Sequence, residues 1–232
     1  MRVIKNQDII LLGDNHGNYN RVFDKIDQMK LSDCVLISVG DNGFGFPDYG
    51  LSYLNTLNNK FKEKNIEFLA IRGNHCDPAF YSSGYSWSNL TPLDDYTVIE
   101  INNKIWQFVG GAISIDRKYR TVNIDYWENE VFVLDKNKAV KCDVLITHSA
   151  PPWIGPNHKG QFVESFYEKD PTLKDQLIFE RKLHQELMDI CQPTKHFCGH
   201  FHCSETIQYS NQLGYVVESR ILDIEEFLEY KL

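Results

Sequence analysis

No apolar run in the sequence approaches the roughly 18 residues that a membrane-spanning helix needs. The first apolar stretch, residues 9–12, is also too short for the core of a secretory signal peptide. Basic residues are in deficit, because 24 Lys and Arg stand against 32 Asp and Glu and give a formal net charge of −8. This balance disfavours long nucleic acid as a partner without ruling out a nuclease, since bound cations reverse the sign locally. We therefore expect a cytoplasmic protein that does not associate with membranes.

The six cysteines include no Cys-x-x-Cys pair, so the spacing typical of a structural zinc site is missing. Cys34 and Cys142 each begin an apolar run, where a thiol acts as a small hydrophobic side chain. Reduced thiols in the cytoplasm are therefore favoured over a disulfide framework. No internal repeat, low-complexity tract or Gly/Ser linker divides the chain, which predicts a single domain over residues 1–232.

Short apolar runs alternate with helical stripes in the N-terminal third. Runs at residues 9–12, 35–39 and 68–71 indicate buried strands, and stripes that begin at Tyr19 and Leu51 indicate the helices between them. This order predicts a parallel sheet with right-handed crossovers and helices on its faces.

The rest of the chain adds antiparallel features. The asparagine pair at residues 102–103 lies between YTVIEI and KIWQFVG, which predicts a hairpin. Val144–Thr147 indicates another strand. An apolar stripe over residues 173–190 predicts a long helix, which ends near Cys191 because Pro193 disfavours helical geometry before it. Three short strand-like pieces follow at residues 196–198, 205–209 and 215–218. The fold class expected is α/β, with a parallel core and antiparallel additions.

Five apolar runs each lead into residues that can bind a metal: Asp14 and His16, Asp41, Asn74 and His75, His148, and His200 and His202. The carboxyl ends of parallel strands share one edge of a sheet, so we expect these side chains to converge. Any one of them alone is better explained as a helix cap or a turn residue, but five coincidences are not. The three other histidines, at 158, 184 and 196, have no such placement and are interpreted as incidental.

Local spacing supports the same site. The spacing of two in Asp14-x-His16 and His200-x-His202 places both side chains on the same side of an extended backbone. A glycine precedes the polar residues at positions 13, 40, 73 and 199, which predicts sharp backbone turns. Carboxylates, imidazoles and one amide oxygen, without thiolates, favour Mn, Fe or Zn over Ca or a Cys-rich zinc site.

The strings GDNHGN (13–18), GDNG (40–43), GNH (73–75), TH (147–148) and GHFH (199–202) resemble, in this order, the motifs of the calcineurin-like metallophosphoesterases. The resemblance spans residues 13–202 and implies a four-layer αββα sandwich of two mixed sheets flanked by helices. It also implies two divalent metal ions, with Mn²⁺ preferred and Fe or Zn as alternatives. By matching positions, Asp14, His16 and His202 hold the first metal, Asp41 bridges, and Asn74, His148 and His200 complete the second.

The implied function is hydrolysis of a phosphate mono- or diester by a metal-bridging hydroxide, with His75 protonating the leaving group. The partner is then a phosphate-ester substrate, and the oligomeric state is left open. The alternative is a non-catalytic metal-binding or protein-interaction module on the same fold. All seven ligand positions and His75 are filled, which favours the enzyme.

The sequence also departs from the family pattern. Cys76 follows His75 where many members carry an acid, and Phe44 replaces the acid of the GDxxD motif. Asp77 either orients His75 in their place or caps a turn. Without a supporting carboxylate the pKa of His75 is expected to be lower, which favours activated aryl esters over alkyl monoesters. The GDNGFGF loop lacks the arginine typical of the Ser/Thr protein phosphatase branch, so that branch is disfavoured.

The segment GGAISIDRKYR (110–120) resembles a stretch in uncharacterised bacterial and phage-type members of the family. Arg117 and Arg120 either contact a substrate phosphate, since guanidinium groups match phosphate geometry, or pair with nearby acids such as Asp116 and Asp125. Two aromatic-rich loops, residues 80–87 and 153–167, are candidates for substrate stacking or a lid, or are hydrophobic plugs under long loops.

Overall fold

The computed structural model of the protein describes residues 1–156, 161–212 and 214–231, and the side chains of all of these except residues 161 and 162. Its strands are β1 (Arg2–Ile4), β2 (Asp8–Leu12), β3 (Cys34–Ser38), β4 (Glu67–Ala70), β5 (Leu90–Pro92), β6 (Thr97–Ile101), β7 (Lys104–Val109), β8 (Val144–Thr147), β9 (Lys195–Cys198), β10 (Glu205–Ser210), β11 (Val216–Ile221) and β12 (Phe227–Tyr230). Its helices are α1 (Tyr19–Met29), α2 (Leu51–Glu63), α3 (Ala79–Ser82), α4 (Gln161–Lys169) and α5 (Leu173–Cys191), with a 3-10 turn at Arg117–Tyr119.

The first sheet has the strand order β12-β2-β3-β4-β5. Strands β2 to β5 run parallel, and only β12 is antiparallel to its neighbour. Helices α1 and α2 connect the first three parallel strands, as the alternation of apolar runs and helical stripes predicts. The spacing of Tyr19, Val22, Phe23 and Ile26 places all four on the buried side of α1.

The second sheet has the order β1-β6-β7-β8-β9-β11-β10 and is mixed. The predicted hairpin is confirmed, because β6 pairs antiparallel with β7 across Asn102 and Asn103. Both asparagines have positive φ, 51° and 63°, which is the geometry that a two-residue hairpin turn requires. Strands β7, β8, β9 and β11 run parallel, and β10 returns antiparallel to β11.

Alternating side chains of the central strands explain the layering. In β3, Val35 and Ile37 pack against the second sheet, whereas Cys34 and Leu36 pack against helices α1 and α2. On the outer face of the second sheet, α5 packs through apolar residues near its end. The order helix, sheet, sheet, helix confirms the predicted α/β four-layer sandwich.

The six cysteines are unpaired, and all but Cys203 are buried. None of the helices within the described residues is both long and apolar enough to cross a membrane.

Candidate metal centre

The seven predicted ligands lie together at the carboxyl ends of β2, β3, β4, β8 and β9. Each strand is followed within four residues by one or two of them: Asp14 and His16, Asp41, Asn74, His148, and His200 and His202. Strands of both sheets contribute, so the site lies where the two sheets meet. Asp14, Asp41, Asn74 and His148 are buried, whereas His202 is exposed. The cluster therefore has a buried base and an accessible rim.

One half of the cluster consists of Asp14, His16, Asp41 and His202. One ligand atom from each of these residues lies within 4.8 Å of all the others. The Nε2 atoms of His16 and His202 are 3.0 Å apart, and His202 Nε2 is 3.5 Å from Asp14 Oδ2. Two carboxylates and two imidazoles that point at one position fit a divalent transition metal.

The other half consists of Asn74, His148 and His200 around the same Asp41. Asn74 Oδ1 lies 3.1 Å from His148 Nε2 and 2.9 Å from His200 Nδ1. The carboxylate of Asp41 reaches this half through Oδ1, which is 3.2 Å from His148 Nε2. His148 Nδ1 is 2.8 Å from the Val39 carbonyl and donates its proton there, so Nε2 is the nitrogen left to face a metal.

Within the ligand cluster, one buried carboxylate oxygen of each aspartate lacks a hydrogen-bond partner, namely Asp14 Oδ1 and Asp41 Oδ2. A buried, unpaired carboxylate oxygen is costly, and native structures rarely leave one without a reason. The other oxygens of both residues are satisfied, since Asp14 Oδ2 accepts from His200 N–H and Asp41 Oδ1 accepts from His75 N–H, each at 2.7 Å. The residues present therefore fit bound cations that complete the coordination of these oxygens.

Burial and neighbouring charges strongly shift the pKa values of three ligands in the cluster. Burial raises the pKa of Asp14 to about 7, opposed by His148 and reinforced by Asp41. Burial would also raise the pKa of Asp41, but the nearby imidazoles, led by His148, hold it well below its ordinary value. Burial disfavours protonated His148, yet Asp41 and Asp14 together raise its pKa to about 9. Without metal, protons therefore balance the buried carboxylates.

Metal affinity is expected to rise steeply with pH. Asp14, with a pKa of about 7, and His148, with a pKa of about 9, must lose protons before they can bind a cation. Each proton released changes the apparent affinity about tenfold per pH unit. We expect Mn²⁺ to bind at least about tenfold more tightly per pH unit from 6 to 8. Calorimetry in two buffers of different ionisation enthalpy counts the protons, and a pH-independent affinity would refute the expectation.

The ligand-bearing loops are not extended, which corrects the spacing argument for Asp14-x-His16 and His200-x-His202. His16, His200 and His202 all have positive φ, between 46° and 68°. Neighbouring side chains therefore reach the site through left-handed turns, which non-glycine residues rarely adopt and which cluster at functional sites.

The preceding glycines mostly serve a different purpose from the one expected. Of the four, only Gly40 has a positive φ, +122°. A Cβ on Gly73 would collide with the Asp41 carboxylate, and one on Gly199 would collide with that of Asp14. These two positions lack a side chain so that the ligand carboxylates can approach the backbone.

His75 lies beside the cluster. Its ring packs edge-on to His16, with centroids 4.6 Å apart, and its Nε2 is 2.6 Å from Arg120 Nη2. Burial lowers the pKa of His75, Asp41 opposes this shift, and Arg120 adds to it. The group nearest this imidazole nitrogen is thus the Arg120 guanidinium. The guanidinium also forms an ion pair with Asp116 at 2.8 Å.

The two arginines of the 110–120 segment behave differently. Arg120 pairs with Asp116 and also lines the cavity over the metal ligands, so its contact with a substrate phosphate stays a prediction. Arg117 instead forms a buried ion pair with Asp170 at 2.6 Å and is not among the residues that line this cavity. The structure therefore supports the ion-pair interpretation for Arg117, with a partner that sequence proximity did not suggest.

The side chains of Cys76 and Asp77 have hydrogen-bond partners other than the His75 ring. The buried thiol of Cys76 accepts the N–H groups of Asn42 and Gly73 and the hydroxyl of Tyr81. Burial raises the pKa of this thiol to about 11, so it is neutral. Asp77 accepts the N–H of Ala79 at 2.9 Å, which supports the turn-cap alternative.

The aromatic loops and the remaining histidines are mostly structural. Trp153 stacks on Tyr209 at 4.3 Å, as a plug does, whereas Phe166 lines the cavity. Residues 157–160 of this loop, including His158, lie outside the described residues. In the loop at residues 80–87, Phe80, Tyr85 and Trp87 pack on one another. His196 is buried between hydroxyls of the core, and His184 stacks on Phe132.

Residues 8–204 match the calcineurin-like phosphoesterases, and the chain therefore belongs to this family. Two solved structures align with most of this chain. One is the 5′-nucleotidase precursor from Thermus thermophilus, at 12% identity and a TM-score of 0.43, which covers 95% of this chain and 49% of that one. The other is a protein serine/threonine phosphatase from Saccharomyces cerevisiae with similarity to human phosphatase PP5, at 13% identity and a TM-score of 0.38, covering 96% and 71%. This chain spans about half the length of the nucleotidase precursor, and no curated protein sequence matches it.

Proposed function

We propose that the protein is a dimetal phosphoesterase that hydrolyses a phosphate mono- or diester. The observation that carries the proposal is the pair of buried, unpartnered oxygens on Asp14 and Asp41, surrounded by imidazoles and one amide. Asp14, His16 and His202 would hold one cation, Asn74, His148 and His200 the other, and Asp41 both. When bound, such cations activate water and neutralise charge on phosphoryl oxygens. Mn²⁺ as the native metal and a cytoplasmic location stay predictions.

The chain's own groups supply the remaining chemistry. His75 lines the cavity beside Arg120, whose N–H donates to His75 Nε2 at 2.6 Å. A substrate phosphoryl group that takes up the Arg120 donors would free this nitrogen to carry a proton and give it to the leaving-group oxygen. The Arg120 guanidinium offers N–H donors that match phosphoryl oxygens, and its pairing with Asp116 fixes its direction. Together they place a proton donor and an anion-binding group on the same side of the ligand cluster.

The test uses the metal-free protein loaded with Mn²⁺, Fe²⁺ or Zn²⁺ in turn. Metal content is counted by mass spectrometry, and hydrolysis of p-nitrophenyl phosphate and bis(p-nitrophenyl) phosphate is measured on the same samples. The proposal expects two metals per chain and turnover of at least one ester that a chelator abolishes. A protein that holds two metals but hydrolyses neither ester would support the alternative, a non-catalytic module on this fold.

Removing the guanidinium of Arg120 is expected to weaken substrate binding. Arg120→Met deletes a charged donor close to His75, and hydrogen bonds to charged groups contribute about 1.5–3 kcal/mol, so kcat/KM should fall about 10- to 100-fold. Arg117→Met is the matched control, because Arg117 pairs with Asp170 outside the cavity. We expect it to change thermal stability while kcat/KM stays within a few-fold. Equal losses in the two variants would contradict the assignment.

A further inference from the structure

The cavity over the metal ligands has a polar end and an apolar end. Its volume is about 380 Å³. Four of its lining residues are proposed ligands, and three more, His75, Asp116 and Arg120, pair with one another beside them. The other lining residues within the part of the chain that the structure describes are apolar: Ile115, Pro156, Val163, Phe166 and Phe201.

The apolar walls are anchored in packed structure. Ile115 and Phe166 belong to one apolar cluster with Leu173 at the start of α5. Phe201 packs edge-on to His200 and lies under the Arg181 guanidinium, 5.2 Å from its ring. The walls are therefore held in place by the fold and by the ligand loops themselves.

The apolar end of the cavity favours some leaving groups of the ester over others. Among the described lining residues, those beyond the polar end carry no side chain that can hydrogen-bond a sugar hydroxyl or a peptide amide. A hydroxyl placed there would find no side-chain partner among the described lining residues, whereas an aromatic ring would bury its surface against Phe166 and Phe201. A volume of about 380 Å³ also matches a small molecule rather than a polymer.

We infer that the preferred substrates are small phosphate esters whose leaving group is a flat, apolar ring. This inference rests on the proposed function and adds the substrate class. It agrees with the preference for aryl over alkyl esters expected from the sequence, but for a different reason. Here the preference rests on the apolar wall, and the influence of position 76 on His75 stays a prediction.

The test separates apolarity from leaving-group reactivity by comparing benzyl phosphate with glycerol 1-phosphate, both esters of primary alcohols. We expect kcat/KM for benzyl phosphate to be at least about tenfold higher. Val163→Asn, which places an amide in the wall, should reduce this ratio severalfold. Val133→Asn, at an exposed position outside the cavity, should leave it unchanged.

Different results would overturn the proposed function and the inference on substrate class. If p-nitrophenyl phosphate, its diester and both alkyl esters are all inert with two metals bound, the proposed function fails. If the esters turn over with equal kcat/KM for benzyl and glycerol phosphates, only the inference on substrate class is overturned. A ratio that survives Val163→Asn unchanged would overturn the role of this wall.

The side-chain amide of Asn74 is oriented by a buried hydroxyl. Its Nδ2 donates to Ser114 Oγ at 3.1 Å, which turns Oδ1 toward His148 and His200. The backbone N–H of Ser114 donates to Glu130 Oε1 at 3.1 Å. Ser114 and Glu130 are both buried. Because an amide NH₂ group only donates, the Ser114 oxygen is the acceptor of the Asn74 hydrogen bond.

The segment that contains Glu130 is also hydrogen-bonded to the loop that carries Asn74. Arg72, two residues before Asn74, donates to the Glu130 carbonyl at 2.6 Å and pairs with Asp95 at 2.7 Å. The segment around Glu130 and the loop that carries Asn74 therefore form one closed hydrogen-bonded ring.

The geometry points to Ser114 and Glu130 as positioning residues that present the oxygen of Asn74 to the second metal. Ser114→Ala should weaken binding of one of two Mn²⁺ ions about 10- to 100-fold, the usual effect of losing an outer hydrogen bond to a ligand. Binding of the other ion, held by Asp14, His16 and His202, should change much less.

The readout is the Mn²⁺ isotherm from equilibrium dialysis, which requires no activity. Ser114→Thr keeps the hydroxyl and should restore most of the affinity. Ser219→Ala removes another buried hydroxyl, one that contacts His196, and should leave both binding steps unchanged. An unchanged isotherm for folded Ser114→Ala, or equal weakening of both steps, would overturn the inference.

Discussion

Replacing Asp41 with asparagine is expected to empty both halves of the metal site and abolish hydrolysis. One oxygen of Asp41, Oδ1, lies 3.2 Å from His148 in one half, and the other, Oδ2, lies 3.9 Å from His16 in the opposite half. Asparagine removes the charge and replaces one oxygen with an NH₂ group, which repels a cation. Loss of an outer partner already costs about 10- to 100-fold in affinity, so loss of a shared ligand should cost more than about 100-fold for each ion.

Metal content by mass spectrometry and activity on an aryl ester are measured together for Asp41→Asn. The matched control is Asp170→Asn. It also removes a buried, ion-paired carboxylate, but Asp170 pairs with Arg117 and is not one of the proposed ligands. Thermal unfolding of the metal-free proteins separates loss of metal from loss of fold. Two metals retained in Asp41→Asn would contradict the bridging role.

Replacing His75 with asparagine is expected to have the opposite pattern, with metals kept and turnover lost. The backbone N–H of His75, not its ring, contacts Asp41, so the substitution leaves that hydrogen bond in place. General acid catalysis contributes about 10²- to 10⁴-fold, so kcat on an alkyl ester should fall by that factor. On a p-nitrophenyl ester, whose leaving group needs little proton assistance, the loss should be much smaller.

The ratio of rates on alkyl and aryl esters is the informative quantity for His75→Asn. An equal loss on both would indicate that His75 acts on binding or on the metals rather than as a proton donor. Loss of metal in this variant would place His75 among the ligands instead.

The order of strands and helices was predictable because most elements have a local hydrophobic pattern typical of their secondary structure. Runs such as residues 35–39 are buried on both faces, and the stripe from Tyr19 has helical spacing, so each element carries its own signal. Strand β12 carries none, since its four residues are ordered by pairing with β2, more than 200 residues away in the chain. Strand β1 is likewise defined by pairing with β6.

The ligand positions were predictable from strand ends, but the geometry around them was not. An alternating pattern implies an extended backbone, whereas His16, His200 and His202 adopt left-handed conformations that no residue type announces. The contact of Arg120 with His75 depends on how the long connection after β7 folds back over the sheet. Glu130 had no sequence signal at all, while Ser114 lies in a string, GGAISIDRKYR, that already drew attention through its arginines.

The most direct test of the site is a crystal structure of the Mn²⁺-loaded protein with anomalous diffraction data. We expect two anomalous peaks that share Asp41, one contacted by Asp14, His16 and His202 and the other by Asn74, His148 and His200. A single peak, or a second peak outside these seven side chains, would contradict the dimetal site.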